Sequence, residues 1–291
     1  MIYRKFKDKE LSALGMGAMR LPVIDGDDNK VDAPKVEEMV SYAMEKGINY
    51  YDTAWGYHGG NSETVMGEAL RRYPRESFYL ADKFPGYDLS NMDKVEEIFE
   101  KQLEKCQVEY FDFYLFHNVC EMNIDEYLNE DHGIMEYLWK QKENGRIKHL
   151  GFSVHGSFDV ARRFLEKYGD RMEFCQIQLN YLDLTFQHAD EKLKLLEEYG
   201  IPVWVMEPLR GGRLANLTDY QISRLKALRP DESAVGWAFR FLQSVPQVVV
   251  TLSGMSSFDQ MKDNIAIFEK DAPLNDDEKA ALQDIADDML K

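Results

Sequence analysis

The chain has 291 residues, a net charge of −17 at neutral pH and an apolar content of 44%. This length and apolar content are enough for a large core, built as one barrel-sized domain or as two ordinary ones. The charge argues against a nucleic-acid partner, because such a surface repels phosphates. No run of about 18 apolar residues suggests a membrane span, and residues 1–7 lack the apolar core of a secretion signal, so we expect a cytoplasmic protein.

No Ser/Gly-rich, Pro-rich or low-complexity segment interrupts the chain, so we expect a single domain over residues 1–291. The three cysteines, Cys106, Cys120 and Cys175, are odd in number and have neither metal-ligand nor disulfide-framework spacing. We interpret them as core thiols and expect no metal site.

The chain opens with a predicted hairpin around residues 7–10, after which strand-like and helical segments alternate. Strands are predicted near residues 13–19, 48–54, 78–84, 110–117, 147–154, 174–180, 202–208 and 247–253. Helices are predicted near residues 34–46, 62–72, 91–106, 124–144, 157–168, 188–199, 231–243 and 257–269, with a last one at 276–290. This alternation predicts a parallel sheet covered by helices. Eight units at this length favour a closed (β/α)8 TIM barrel with an N-terminal β-hairpin and an extra C-terminal helix.

An open doubly wound sheet is the rival fold, and it needs a glycine-rich turn after its first strand. The nearest match, residues 15–20, has Arg20 where the third glycine belongs, which would block helix–strand packing. The barrel is therefore the better prediction.

Polar residues end three successive predicted strands: Asp52, Lys83 and His117, with Tyr57 five positions after Asp52. Each has an ordinary structural explanation: a turn cap for Asp52, a surface pair with Asp82 for Lys83, and a buried imidazole for His117. Their joint arrival at the ends of consecutive strands is improbable by chance. In a barrel all strand C-termini meet on one face, and that face carries the chemistry.

These four residue types suit proton transfer to a carbonyl oxygen. Asp52 would keep Lys83 charged, and Lys83 would favour the phenolate of Tyr57, lowering a tyrosine pKa that is ordinarily about 10. Tyr57 would then act as general acid while His117 orients the carbonyl oxygen. Reduction of a carbonyl also needs a hydride, which none of these four side chains can supply.

Two loops suit phosphate binding, which barrels often achieve after strands 7 and 8. Residues 208–213 place two glycines between Arg210 and Arg213, and residues 253–257 lead into a helix. The alternative explanation is an ordinary glycine loop for residues 208–213 and a plain serine N-cap for residues 253–257.

The segment 52–57, with Asn61, Ser62 and Glu63 after it, resembles the active-site signature of the aldo-keto reductases, and Lys83 and His117 fall where that family keeps its other catalytic residues. The resemblance covers the whole chain and includes residues 14–22, 151–153, 176–180 and 252–256. It implies NADPH-linked reduction of a small aldehyde or ketone, with the cofactor extended across the barrel mouth.

The resemblance also implies the cofactor contacts. Ser153 and Gln176 would hold the nicotinamide carboxamide, Ala18 and Met19 would line its ribose, and Met206 would cover its ring where many members place a tyrosine. Leu209 and Gly211 would meet the pyrophosphate. The adenosine end would be held by Gly254, Ser256, Gln260 and Asn264.

The resemblance favours NADP over NAD, although Gly254 and Gln260 stand where many members have basic residues for the 2′-phosphate. Arg210, Arg213 or Lys262 would substitute for them. The motif at 206–212 points to a branch that often continues into a cysteine-rich, ferredoxin-like tail, and no such cysteines precede Lys291.

Two rival functions are open at this point. A Schiff-base aldolase would use Lys83 as an uncharged nucleophile, which the neighbouring Asp82 and Asp52 disfavour. A non-catalytic cofactor-binding regulatory module is the other, since relatives of the family act in that way. The substrate and the oligomeric state are not readable from the sequence.

Overall fold

The structure, a computed structural model, describes residues 1–290. These residues form ten strands: β1 Tyr3–Phe6, β2 Lys9–Ser12, β3 Leu14–Gly17, β4 Tyr50–Asp52, β5 Tyr79–Phe84, β6 Phe111–Val119, β7 Ile147–Val154, β8 Phe174–Gln178, β9 Val203–Met206 and β10 Val248–Gly254. They also form twelve α-helices: α1 Ala33–Glu45, α2 Ser62–Leu70, α3 Val95–Cys106, α4 Ile124–Leu128, α5 Ile134–Glu143, α6 Phe158–Tyr168, α7 Asp183–Phe186, α8 Ala189–Glu198, α9 Asp219–Lys226, α10 Ala234–Gln243, α11 Phe258–Ile267 and α12 Asp276–Met289.

Strands β3 to β10 close into a barrel in which every neighbouring pair is parallel and β10 returns to pair with β3. The predicted (β/α)8 barrel is confirmed, with all eight predicted strands in their predicted order. Strands β1 and β2 form the predicted antiparallel hairpin, and its turn places Lys7 at a positive φ of 53°.

The hairpin closes the N-terminal end of the barrel. Phe6 lies edge-on to Trp204, with ring centroids 5.1 Å apart, and its ring lies 5.6 Å from that of Phe113. Inside the barrel, Tyr50 and Phe174 pack on the same two aromatic rings. Because large rings fill the interior and Phe6 covers one end, only the C-terminal end is available for a site.

The prediction of one helix over 124–144 is wrong. The chain forms α4 and α5 there, separated by a short turn that ends at Gly133, whose φ is 67°. The side chain of Asn129 accepts a hydrogen bond from the backbone N–H of Asp131, which competes with helical pairing at the break.

Helix α9 was not predicted. It begins with a capping box in which Thr218 and Gln221 hydrogen-bond reciprocally, side chain to backbone. Its only buried residue is Leu225, so it lacks the apolar stripe on which the helix predictions relied. The predicted extra C-terminal helix is present as α12, which begins with a similar capping box at Asn275 and Glu278.

Candidate active site

Three of the four predicted catalytic residues are held by barrel strands at the C-terminal end. Asp52 is the last residue of β4, Lys83 lies near the end of β5, and His117 lies near the end of β6. Tyr57 begins a tight turn after β4 that needs positive φ at His58 and Gly59. The ring of His58 anchors this turn, because its Nε2 accepts the backbone N–H of Leu21 at 3.0 Å.

The ammonium of Lys83 connects the group. Its Nζ donates to Asp52 Oδ1 at 2.7 Å and to the carbonyl oxygen of Thr53 at 2.7 Å, and it lies 3.4 Å from the hydroxyl of Tyr57. Burial alone would lower the pKa of Lys83, but the charges of Asp52 and Tyr57 and the hydrogen bond to Asp52 raise it above its usual value. The lysine therefore stays charged at neutral pH, which disfavours the Schiff-base chemistry of an aldolase.

The expected lowering of the Tyr57 pKa is wrong. Burial raises the pKa of Tyr57, and the charge of Lys83 only partly offsets that effect. Desolvation disfavours the phenolate, and Asp52 opposes it further. Tyr57 consequently holds its proton at neutral pH, as a proton donor must.

His117 lies beside Tyr57 with its ring edge-on, the centroids being 6.0 Å apart. Burial and the nearby Lys83 and His155 hold the pKa of His117 well below its usual value. Its Nδ1 is buried and has no hydrogen-bond partner within residues 1–290. A neutral imidazole in this place can hydrogen-bond a ligand oxygen without competing as an acid.

A tyrosine that the sequence analysis missed, Tyr87, also packs against His117. Its ring is edge-on to the imidazole at 5.2 Å, and burial and surrounding negative groups raise the pKa of its hydroxyl to about 12. It follows the end of β5 by three residues, so strand-end position was the signal that would have found it.

A second buried polar cluster lies behind Lys83. The amide nitrogen of Gln102 donates to Glu63 Oε1 and to Asp82 Oδ1, each at 3.0 Å, and Asp82 Oδ1 also accepts the backbone N–H of Lys83 at 2.8 Å. Burial and the charge of Glu63 raise the pKa of Asp82 well above its usual value. Asp82 therefore holds the backbone of Lys83 inside the protein. The surface ion pair between the two side chains, which was the ordinary explanation for Lys83, does not form.

A cavity of about 870 Å³ opens beside the four residues. Asp52 and Tyr57 form part of its wall, whereas Lys83 and His117 are buried and do not line it. Nine of the predicted cofactor residues line it: Met19, Gln176, Met206, Leu209, Gly211, Gly254, Ser256, Gln260 and Asn264. The other two, Ala18 and Ser153, are buried and do not line it.

The loop after β9 is held in an unusual conformation. Glu207 and Arg210 have φ of 55° and 48°, a region that favours glycine. The Glu207 carboxylate accepts the backbone N–H of Gly211 at 2.7 Å, and its other oxygen lies 4.0 Å from Arg20 Nη2.

Arg20 was missed as a site residue. Its side chain lies against Gly254, where a Cβ would come within 3.1 to 3.3 Å of three of its carbons, and its guanidinium reaches toward Gly211. Arg20 directly follows Met19 in the chain, and that adjacency to a predicted ribose contact was the available signal. It places a cation between the two loops predicted to bind phosphate.

A sequence model of the Aldo/keto reductase family matches residues 13–287. The chain belongs to the aldo/keto reductase family. It is accordingly an oxidoreductase of the NAD(P)H-dependent kind that reduces carbonyl compounds.

Curated relatives and solved structures agree with this assignment. An uncharacterized oxidoreductase of Bacillus subtilis, YqkF, is 25% identical over 289 residues, which are 89% of this chain and 87% of the relative. The NADH-specific methylglyoxal reductase of Escherichia coli is 26% identical over 227 residues, 71% of this chain and 66% of the relative. The holo form of the aldo-keto reductase AKR11C1 from Bacillus halodurans superposes with a TM-score of 0.78 at 26% identity, covering 98% of this chain and 96% of the other.

The part of this aldo/keto reductase's cavity beside Gln176 has groups that suit a carboxamide. Gln176 Oε1 is buried, lines the cavity and has no hydrogen-bond partner among the described residues. Ser153 lies beside it on β7 and accepts the backbone N–H of Asn118 at 2.8 Å, which leaves its own hydroxyl proton to donate. The sulfur of Met206 accepts from Gln176 Nε2 at 3.6 Å. The cavity wall therefore offers one free acceptor, Gln176 Oε1, to a carboxamide, and Ser153 lies directly behind it on the neighbouring strand.

The three cations expected to receive a 2′-phosphate have other partners. Arg210 Nε lies 3.5 Å from the buried Asp183, and its guanidinium covers the Phe186 ring. Arg213 donates to the carbonyl oxygen of Met289 at 3.2 Å. Lys262 pairs with the exposed Asp259 at 3.1 Å. None of the three lines the cavity.

Cys106 and Cys175 are buried and Cys120 is partly so, as expected of core thiols, and all three are free. Within residues 1–290 no group of three or more His, Cys, Asp or Glu side chains is arranged to hold a metal ion. None of the helices in the same residues has the length and apolar character needed to cross a bilayer.

Proposed function

We propose that the protein reduces an aldehyde or ketone to an alcohol, or catalyses the reverse oxidation, with Tyr57 as general acid. The supporting observation is the position of the Lys83 ammonium, 2.7 Å from Asp52 Oδ1 and 3.4 Å from the Tyr57 hydroxyl, where Asp52 and Tyr57 line the large cavity.

A bound nicotinamide would supply the hydride. Tyr57 donates its proton to the carbonyl oxygen as negative charge develops there, a contribution of about 10² to 10⁴ in rate. The Lys83 ammonium stabilises the phenolate that remains, and Asp52 keeps the lysine charged and in place. His117, which is neutral, hydrogen-bonds the carbonyl oxygen and orients it.

The residues predicted from the sequence to hold the cofactor keep those roles in this proposal. Gln176 and Ser153 would take the carboxamide, Met206 would cover the ring, and Ala18 and Met19 would line the ribose. Arg20 joins Leu209 and Gly211 at the pyrophosphate. Gly254, Ser256, Gln260 and Asn264 would surround the adenosine.

The preference for NADPH over NADH stays a prediction from the resemblance. NADPH was expected to be preferred because Arg210, Arg213 or Lys262 would bind its 2′-phosphate. Each of these side chains already makes an ion pair or a hydrogen bond within the protein, which weakens that expectation. The E. coli relative, moreover, is described as NADH-specific. The proposed reaction requires only a nicotinamide dinucleotide, and the choice between the two depends on other residues.

The test is turnover of a panel of aldehydes, ketones and quinones with each reduced cofactor, followed by Tyr57→Phe. Removing the hydroxyl while keeping the ring should lower turnover at least about 10²-fold and leave cofactor binding nearly unchanged. Tyr220→Phe, at a 66% exposed tyrosine, is the matched control. Full activity in Tyr57→Phe would refute the assignment of the acid.

The same panel of carbonyl substrates also tests the alternative that the protein is a non-catalytic regulatory module. Such a module would bind the cofactor without turning over any member of the panel, and Tyr57→Phe would then change nothing measurable. Borohydride trapping with a carbonyl substrate covers the aldolase alternative, because a charged Lys83 does not form a Schiff base.

A further inference from the structure

Strand β5 continues past the end of strand β4, and Lys83 lies in the part that continues. The two strands pair only as far as Asp52, which lies opposite Ala81. In a parallel sheet, the backbone N–H and C=O groups of alternate residues face the same neighbouring strand. Ala81 faces β4, because its carbonyl oxygen accepts the backbone N–H of Thr53 at 3.0 Å. The N–H and C=O of Lys83 therefore face the same side, where β4 has already ended.

Two side chains take the place of the missing strand partner. The backbone N–H of Lys83 donates to Asp82 Oδ1 at 2.8 Å. The carbonyl oxygen of Lys83 accepts from the amide nitrogen of Gln102, on helix α3, at 2.9 Å. The same nitrogen donates to Asp82 Oδ1 at 3.0 Å, so Gln102 also fixes the carboxyl group that holds the N–H. Gln102 thus supports the backbone of Lys83 both directly and through Asp82.

The orientation of the Gln102 amide is fixed by its surroundings. Gln102 is fully buried, and its Oε1 accepts from the hydroxyl of Tyr114 at 2.6 Å. Its Nε2 faces one oxygen each of Glu63, Asp82 and Lys83, all within 3.0 Å. Turning the amide over would place its oxygen against these three oxygens, which is costly where no water can compensate. The glutamine is therefore a rigid support.

The position of the Lys83 backbone matters because one contact of its ammonium is weaker than the others. Nζ donates to Asp52 Oδ1 and to the carbonyl oxygen of Thr53, each at 2.7 Å. It lies 3.4 Å from the hydroxyl of Tyr57, which is longer than an ordinary hydrogen bond. Proton transfer depends on this longest contact, and a small displacement of the lysine would lengthen it further.

We propose that Gln102 is a positioning residue for the reaction, which holds the backbone of Lys83 so that its ammonium lies beside the Tyr57 hydroxyl. Gln102 does not line the cavity, so it acts through the lysine and not on a ligand. This inference rests on the proposed function, in which Lys83 stabilises the phenolate of Tyr57. Loss of the amide should therefore change proton transfer and leave ligand binding unaltered.

Gln102→Leu removes the amide and keeps most of the side-chain volume. Turnover should fall about 10-fold, because a small misplacement of a catalytic group is costly. The KM of the carbonyl substrate and the dissociation constant of the cofactor should change less than about 2-fold, since the cavity wall is intact. The pH at which kcat for alcohol oxidation reaches half its maximum should rise, because a displaced ammonium stabilises the phenolate less.

Two further measurements show whether Gln102 acts through the lysine. In a Lys83→Met background, Gln102→Leu should change turnover less than about 2-fold. Gln141→Leu is the matched control, since Gln141 is a buried glutamine on α5 that accepts from Arg146 at 3.0 Å. It should lower stability without moving the pH transition. An unmoved transition in Gln102→Leu, or a further 10-fold loss in the Lys83→Met background, would overturn the proposal.

Tyr114→Phe tests the same support without removing the amide, and it serves if Gln102→Leu does not fold. It removes only the hydroxyl that orients Gln102, so the pH transition should rise by a smaller amount, and an unmoved transition would count against the support. Tyr57→Phe separates this inference from the proposed function. If Tyr57→Phe loses turnover while the Gln102 and Tyr114 variants behave as wild type, only the support is refuted. Full activity in Tyr57→Phe would refute the proposed acid and this inference together.

Discussion

The Nζ of Lys83 lies 3.4 Å from the hydroxyl oxygen of Tyr57, close enough to stabilise a phenolate by charge and, with a small adjustment, by hydrogen bonding. Burial works in the opposite direction, and its effect on the pKa of Tyr57 is the larger of the two. The lysine therefore lowers the cost of proton release from a tyrosine that otherwise keeps its proton.

Lys83→Met tests this relationship. The loss of the ammonium should lower turnover by about 10² or more, and combining it with Tyr57→Phe should cost little beyond either single change, because the two groups act as a unit. Since the variant also leaves Asp52 buried without its cation, Asp52→Asn/Lys83→Met serves as the stability control. Fully additive losses would indicate independent roles.

Much of this site follows from the sequence because strand ends in a parallel barrel converge. The positions of Asp52, Lys83 and His117 were predictable for that reason, and so were the loops that hold Leu209 and Gly254. The direction of the Tyr57 pKa shift was not, since it depends on how completely the folded protein removes water from the ring.

Other features depend on tertiary contacts that no local pattern encodes. Arg20 reaches the cavity because Gly254, distant in sequence, leaves room for it. Arg210 is close to the phosphate loop in sequence, yet it turns to the buried Asp183. Charge counted along the chain therefore does not reveal that Arg210 already has an acidic partner in the folded protein.

The rates of carbonyl reduction and of alcohol oxidation should change with pH in opposite directions. Carbonyl reduction needs protonated Tyr57, so its rate should persist through neutral pH and fall only as pH rises through a tyrosine pKa above about 10. Alcohol oxidation needs the phenolate, so its kcat should rise with pH over the same range. Lys83→Met should move both transitions to higher pH. Profiles of kcat in both directions check this, and an oxidation rate that falls above neutral pH would contradict it.

The buried pair of Asp82 and Glu63 should make the protein less stable as pH rises. A carboxyl whose folded pKa is raised stabilises the fold fully below its unfolded pKa, and this contribution is lost as pH rises through the folded value. Asp82→Asn keeps an oxygen that can accept the backbone N–H of Lys83 and removes the ionisable group. We expect the variant to match the wild type at acid pH and to exceed it by about 1 kcal/mol at pH 8. Urea unfolding at a series of pH values measures this, and a variant less stable than the wild type throughout would show that Asp82 is needed as a carboxylate.

At the opposite end of the barrel, Glu173 ties the hairpin to the strands. His149 lies 2.7 Å and Lys142 2.5 Å from its carboxylate oxygens, and Lys7 from the hairpin turn also contacts it. Burial would raise the pKa of Glu173, but the hydrogen bonds from His149, Lys142 and Lys7 outweigh burial and hold the pKa well below its usual range. For a carboxyl lowered in this way, the stabilisation is present above the unfolded pKa of about 4.3 and disappears as pH falls through the folded value.

Glu173→Gln should therefore remove part of the acid sensitivity of the fold. At pH 7 the variant should be less stable by about 1–2 kcal/mol, because Lys7, Lys142 and His149 lose the carboxylate that they share in a cluster that solvent partly screens. Below pH 4 the gap between the two proteins should narrow. Glu143→Gln, at an exposed glutamate on the neighbouring helix α5, controls for the change of charge. Denaturant midpoints from pH 3 to pH 7 give the comparison, and a gap that widens toward low pH would mean that Glu173 stabilises the barrel end by packing rather than by charge.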